Sequence, residues 1–173
     1  MKDIYIFKAD PNSSTCIRLG GARYGNQYFV GRTMISDWIV PEIEISNKSK
    51  KLKDVVTIMG CGAVAMSKEA LNALGHLLAI YAEALPIGVI KNRELFALNV
   101  IQCGQYIDWD QSNATFHDPE RIRPRSVSNI VFKKDLDPEL LMFKDSVYTY
   151  PIFVSRAFVT AVRESDLVGA GLS

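Results

Sequence analysis

The side chains best suited to acid–base chemistry are two histidines and a pair of nearby aspartates. His76 and His117 are the only histidines in the chain, and an imidazole titrates near neutral pH. Asp108 and Asp110 flank Trp109, and in a strand both would point to one face, as the paired carboxylates of a glycosidase or a divalent-cation site require. No third ligand, phosphate-binding loop or nucleophile with its base accompanies them in the sequence. We therefore expect a structural or interface role, with no metal and no cofactor.

The cysteines favour a reducing compartment. Cys16, Cys61 and Cys103 are odd in number and have no CxxC spacing, which fits free thiols better than a disulfide framework. None has a neighbouring basic group that would lower its pKa and make it a nucleophile. The cysteines therefore predict a cytoplasmic protein without a catalytic thiol.

The distribution of charge indicates a protein interface. Residues 94–120 include five acidic residues and no Lys or Arg, and three arginines follow at alternate positions. If this segment folds back, acidic and aromatic side chains lie beside the arginine row, a mixture favoured at protein interfaces. A set of solvated surface residues around one buried tryptophan explains the pattern equally well. The interface candidates are Asp108, Trp109, Asp110, Arg121, Arg123 and Arg125.

Length and composition predict one globular domain over residues 1–173. A chain of 173 residues, 48% apolar and 23% charged, can bury roughly 70% of its unfolded surface. Lys and Arg total 20 against 19 Asp and Glu, so net charge gives no reason to expect a nucleic-acid or anionic-membrane partner. The apolar start is too short for a signal peptide, and no apolar run reaches membrane-spanning length.

Residues 1–50 read as a β-rich portion and residues 54–173 as an α+β portion. Strands are predicted at 4–7, 16–19 and 28–30, where apolar runs are separated by turn residues. The lysine-rich stretch 46–53 is predicted to be a solvated loop between the two portions, with a basic binding finger as the alternative.

Two helices are predicted from their capping signals. Ser67 is an N-cap residue, and Met66 and Leu71 occupy the positions of a hydrophobic staple. Apolar residues then recur at helical spacing as far as Pro86, which should end the helix. The same signals precede a second helix at Ser155. The predicted fold is α+β, with a mostly antiparallel sheet and two principal helices beginning near Ser67 and Ser155.

The remaining strands are predicted at 54–59, 93–101 and 127–132, which are rich in β-branched and apolar residues. The stretch from Asp110 to Arg125 has no sustained period and is predicted to be an exposed loop. Within the first helix, Leu74 and Leu78 should face the core.

Short motifs in a fixed order extend over residues 55–169. They are Val64-Ala-Met-Ser67, Ala84-Leu-Pro86, Ala97-Leu-Asn-Val100, Ile107-Asp108 with Ser112, Ile152-Phe-Val-Ser155 and Leu167-Val-Gly169. In order and spacing they resemble the immunity protein 11 family, formerly described as a domain of unknown function, of bacterial polymorphic toxin systems. The resemblance implies a cytoplasmic antidote that binds a cognate toxin and blocks it by direct contact, with no reaction of its own.

Two other functions stay open on the residues alone. One is a small hydrolase or modifying enzyme that uses Asp108, Asp110 and His117, and the other is a regulatory binding module with a non-toxin partner. Activity on a small substrate that depends on a divalent metal would favour the enzyme. An adjacent toxin gene would favour immunity.

Overall fold

The computed structural model describes residues 3–10, 15–20, 28–46, 50–118, 120 and 123–173. The strands in these residues form two larger sheets and one two-stranded hairpin, and neighbouring strands are antiparallel in all but two pairs. Two α-helices complete the described part of the chain. The predicted α+β class, with mostly antiparallel pairing and two principal helices, is confirmed.

A five-stranded sheet brings together segments from near both ends of the sequence. With strands numbered in chain order, it contains β1 (Ile4–Ala9), β8 (Cys103–Gly104), β11 (Met142–Asp145), β12 (Ile152–Ser155) and β13 (Ala170–Leu172). The spatial order is β13–β1–β12–β11–β8. β1 is antiparallel to both of its neighbours.

A six-stranded sheet is built from the first hundred residues. It contains β2 (Cys16–Leu19), β3 (Ile43–Ser46), β4 (Val55–Ile58), β5 (Val64–Ser67), β6 (Ala82–Ile90) and β7 (Arg93–Val100), in the order β3–β2–β4–β5–β7–β6. The strands of the β-rich first fifty residues are thus divided: β1 belongs to one sheet, and β2 and β3 belong to the other.

The hairpin consists of β9 (Asn113–Phe116) and β10 (Pro124–Asn129), which pair with each other. The prediction of a loop from Asp110 to Arg125 is therefore wrong at residues 113–116 and 124–125, which are strand. β9 is only four residues long, so its order depends on pairing with β10. The predicted strand 127–132 ends early as β10, and Phe132 forms a single antiparallel bridge with Ile107.

Both helices begin at the predicted serines. α1 (Lys68–Leu78) is capped by Ser67, whose Oγ accepts a hydrogen bond from the backbone N–H of Ala70 at 3.1 Å. α2 (Arg156–Glu164) follows Ser155, but that hydroxyl makes no capping bond and has no hydrogen-bond partner among the described residues.

The predicted end of the first helix is wrong. α1 ends at Leu78, and the apolar residues that continued its spacing belong to β6. In β6, Leu85 and Ile87 are buried at alternate positions, as in a strand. The segment forms a strand and not a helix because it pairs with β7. Pro86 is tolerated because β6 is an edge strand.

The segment predicted as a strand at 28–30 is not one. The segment leads instead into residues that form hydrogen bonds to β6. The indole N–H of Trp38 donates to the carbonyl of Pro86 at 2.7 Å. The backbone N–H of Met34 donates to the Glu83 carboxylate at 2.8 Å. Phe29 is fully buried. Side-chain burial therefore orders this segment.

The largest core is shared by both sheets and both helices. It contains Phe7 of β1, Val55 of β4, Leu74 of α1 and Phe158 of α2. The Phe7 and Phe158 rings meet edge to face, with centroids 5.4 Å apart. A second core lies on the other face of the six-stranded sheet, and a third surrounds Phe143 on the five-stranded sheet. No helix in the described residues has the length and apolar character needed to cross a membrane.

Candidate protein interface

Asp108 forms a turn and is not part of a strand. Its carboxylate accepts hydrogen bonds from the backbone N–H groups of Asp110 and Gln111, at 3.2 and 3.1 Å, and from the Gln111 side chain at 2.7 Å. Asp108 is therefore engaged within its own turn, as an Asx-type acceptor. The two aspartates do not lie side by side on a strand face as a carboxylate pair requires.

Trp109 packs inward from the same turn. Its ring meets Phe116 of β9 edge to face at 5.4 Å and Tyr148 at 6.5 Å. The indole is half-buried in the third core, and its Nε1 is buried without a hydrogen-bond partner in the described part of the chain. Trp109 thus connects β9 of the hairpin to the third core.

The base of the hairpin is tied by Ser112. Its Oγ donates to the carbonyl of Asp108 at 2.7 Å and accepts from the backbone N–H of Val131 at 2.9 Å. Further out, the hydroxyls of Thr115 and Ser126 lie 2.7 Å apart across the two strands. Side-chain hydrogen bonds therefore fix the strand register at the base of the hairpin and between β9 and β10.

Of the arginine row, Arg125 lies on β10 and Arg123 lies just before it. Arg123 and Arg125 are exposed, and they flank Pro124, which pairs with Phe116. Neither guanidinium forms an ion pair with any residue that the structure describes. Arg121 lies outside the described residues. The structure thus brings two of the predicted arginines onto the hairpin that Trp109 and Asp108 support.

Asp145 is an essential support that the sequence analysis missed. This fully buried carboxylate accepts hydrogen bonds from four backbone N–H groups. The donors are Tyr106, Ile107, Val147 and Tyr148, at 2.9 to 3.1 Å. The bonds hold the chain on both sides of the aromatic contact between Trp109 and Tyr148. The bonds from residues 147 and 148 form a local Asx-type turn, but those from residues 106 and 107 depend on distant pairing that no local pattern indicates.

The other candidate groups are not brought together. His76 is exposed on α1, and His117 is exposed at the end of β9. No group of three His, Cys, Asp or Glu residues suited to a metal ion occurs among the residues described. Burial raises the pKa of the Cys61 thiol to about 11 and is also the main cause of the raised pKa of Cys103.

No protein-family model matches the chain, and no curated protein matches it. The likeness to the immunity protein 11 family, and the function it implies, therefore stay predictions.

Proposed function

We propose that this chain is a cytoplasmic immunity protein that binds a cognate bacterial toxin and blocks it by direct contact, without a reaction, cofactor or metal of its own. The partner is a protein, and neither nucleic acid nor a membrane is required. The motif order supports the immunity assignment. The hairpin β9–β10 supports the mode of action.

The observation that carries the proposal is the polar pair of strands β9 and β10, with exposed arginines beside and on β10. Asn113, Thr115, Arg123 and Arg125 are exposed on it, while Trp109 and the ties at Ser112 hold its base. An interface element that is ordered before binding loses less conformational entropy when the partner arrives. Arginine is enriched at protein interfaces because its planar group forms several directed hydrogen bonds to carboxylates.

The exposed arginines of the hairpin predict carboxylates on the toxin surface that they contact. Arg123 and Arg125 have no ion-pair partner in the described part of the chain, so their guanidinium groups are available for carboxylates of another protein. Complementary charges across an interface mainly raise the association rate and select the correct partner. We therefore expect binding to weaken as salt increases.

The test reverses the charge of the arginine row. Arg121, Arg123 and Arg125 are replaced together by Glu, and the variant is compared with the wild type for affinity to the product of the neighbouring open reading frame. We expect the affinity to fall by at least about tenfold, mostly through slower association. Growth rescue on co-expression should fall in parallel.

The matched control reverses three exposed cations outside the hairpin, Arg32, Lys51 and Arg163, and should bind normally. Thermal unfolding of both variants checks that the fold is intact. Undiminished binding by the arginine variant would remove the hairpin from the interface. Failure of the wild-type protein to bind or protect against any neighbouring toxin would overturn the immunity proposal.

A further inference from the structure

The start of β1 and the segment 129–136 line a cleft of about 890 Å³. This volume is within the range of pockets that bind small molecules. The floor of the cleft belongs to the third core. Four of its apolar side chains pack against that core and keep part of their surface exposed: Ile4, Ile130, Phe132 and Leu136. A ligand in the cleft therefore meets an apolar surface that the fold already holds in place.

Two aromatic side chains make this surface suited to a flat ring. Phe132 contacts Phe143 and Phe153 edge to face, with centroids 5.8 and 5.2 Å apart, so the orientation of its ring is fixed by the core. Phe132 and Tyr5 lie on the two different segments that line the cleft, and both are half-buried. Aromatic rings pack favourably against one another in offset-stacked or edge-to-face arrangements. The cleft is thus able to hold a planar, aromatic group.

The cleft also contains two lysines that form no ion pair with any residue that the structure describes. Lys133 and Lys134 both line it, at a turn in which the N–H of Leu136 donates to the carbonyl of Lys133 at 3.3 Å. Among the described lining residues, Asp3 is the only acid, and its carboxylate pairs with Arg156 at 2.6 Å. The charge of the two lysines is therefore not neutralised within the cleft.

Two carboxamide side chains add hydrogen-bonding groups. Asn129 is exposed and lines the cleft, and four residues of chain separate it from Lys133 by up to roughly 14 Å. Gln111 also lines the cleft, and because its Nε2 donates to Asp108 at 2.7 Å, its Oε1 is left to accept. Carboxamides recognise the edges of nucleobases, which present donors and acceptors side by side.

We propose that the cleft binds a nucleoside monophosphate. The phosphate lies at Lys133 and Lys134. The base packs on Phe132 and Tyr5, with one edge toward Asn129. A phosphate monoester carries a charge of about −1.5 to −2 at pH 7, which matches two lysines, and lysine binds phosphate as a point charge. The inference does not depend on whether the protein neutralises a toxin.

Isothermal titration calorimetry on the full chain tests this site, with AMP, GMP, CMP and UMP titrated separately at low salt. We expect at least one of the four to bind with a dissociation constant below about 1 mM. The corresponding nucleoside and inorganic phosphate should each bind at least about tenfold more weakly, because each makes only part of the contacts.

Substitutions then assign the two ends of the ligand. Lys133→Gln/Lys134→Gln should weaken binding of the best nucleotide at least about tenfold, because it removes both charges that face the phosphate. Asn129→Ala leaves the lysines in place and should change the order of affinity among the four bases. The matched control is Arg32→Gln/Lys51→Gln, which removes two exposed cations outside the cleft and should bind normally. Thermal unfolding checks that every variant is folded.

Backbone amide NMR locates the ligand. Titration with the best nucleotide should shift the signals of Tyr5 and of residues 130–134. Failure of all four nucleotides to bind at 1 mM would overturn the proposal, and so would undiminished affinity of the Lys133→Gln/Lys134→Gln variant. Equal affinity for inorganic phosphate or for the nucleoside would also overturn it, because the site would then not recognise both parts of one molecule. Shifts confined to residues outside the cleft would place the ligand elsewhere and exclude this site.

Discussion

Among single residues, Asp145 has the greatest effect on the candidate interface. Its two carboxylate oxygens each accept two backbone N–H groups, one oxygen from residues 106–107 and the other from residues 147–148. A buried N–H that loses its acceptor costs about 1–3 kcal/mol. The position of Trp109 therefore depends on a residue 36 positions later in the sequence.

Replacing Asp145 with Asn should destabilise the protein by about 2–4 kcal/mol, because one oxygen becomes an amino group that cannot accept either of its two hydrogen bonds. Urea unfolding measures the loss. Asp135→Asn, which changes an exposed aspartate in the same way, should have little effect. Equal free energies of unfolding for the two variants would show that the four hydrogen bonds of Asp145 make no net contribution to stability.

At this scale the sequence predicted which residues cluster but not what each one does. Asp108, Trp109 and the exposed Arg123 and Arg125 do belong to one region. However, the Asp108 carboxylate accepts hydrogen bonds within its own turn, and Trp109 packs against Phe116 of β9. Turn chemistry at Asp108 is a local signal that could have been recognised. The contact between Trp109 and Tyr148 depends on distant pairing and could not.

At the scale of elements, α1 is fixed at its first turn by a network of charges. Arg93 of β7 pairs with Asp54 and, at 2.9 Å, with Glu69. The other oxygen of Asp54 accepts the backbone N–H of Val168 at 2.9 Å. Burial acts to raise the pKa of Asp54, but the hydrogen bonds from Val168, Arg93 and Ser67 outweigh it, so this pKa is lowered. The network therefore holds the helix start most firmly in the ionised state.

The buried face of α1 gives a direct test of core packing. Leu74 is 1% exposed, so Leu74→Ala should reduce the free energy of unfolding by about 2–5 kcal/mol through lost burial and a residual cavity. Denaturant unfolding measures this change. Asn72→Ala, on the exposed side of the same helix, is the control. A loss below about 0.5 kcal/mol for Leu74→Ala would contradict the assigned face.

Helix starts were predictable because a cap and a staple are local in sequence. Both α1 and α2 begin where Ser67 and Ser155 indicated. The end of α1 was not predictable, because the residues after Leu78 fit a helix and a strand equally well until β7 pairs with them. The hairpin was missed for the same reason: β9 is only four residues long and depends on pairing with β10.

At the scale of the whole molecule, Lys144 links the five-stranded sheet to two loops, one of which joins β4 and β5 of the six-stranded sheet. This fully buried residue of β11 donates from its Nζ to the carbonyl of Phe29 at 2.8 Å and to the carbonyl of Gly62. Burial lowers the pKa of Lys144 to about 8, although the nearby thiols of Cys61 and Cys103 act in the opposite direction. The contact between the sheets therefore includes a cation that is costly to bury.

The lowered pKa of Lys144 predicts a pH dependence of stability. Between pH values of about 8 and 10.5 the unfolded chain keeps a proton on this lysine that the folded protein has lost, so its contribution to stability rises with pH, by up to about 3 kcal/mol. The raised pKa of Cys61 acts oppositely, and because burial is its main cause it is largely retained in the variant. The stability of the wild type relative to Lys144→Met should thus increase from pH 7 to pH 10.

The control for this measurement is Lys134→Met, which removes an exposed lysine and so tests whether the pH trend is specific to the buried Lys144. Urea unfolding at each pH supplies the free energies. A flat difference for Lys144→Met would show that Lys144 titrates normally despite its burial.

The division of the first fifty residues between two sheets was beyond the sequence analysis. Apolar runs marked β1 and β2 as strands, but nothing local shows that β1 pairs with β12 and β13 while β2 pairs with β3 and β4. Strand partners that are distant in sequence are chosen by the packing of the complete core. Fold class was therefore predictable, and topology was not.

The position of β1 has a consequence during synthesis on the ribosome. β1 (Ile4–Ala9) emerges long before both of its neighbours, β12 (Ile152–Ser155) and β13 (Ala170–Leu172). At about 5–20 residues per second it waits on the order of ten seconds for a partner, while the strands of the six-stranded sheet are all complete by Val100. A nascent chain stalled before Ile152 exposes an apolar strand with neither native neighbour, which makes it a target for chaperones and proteases.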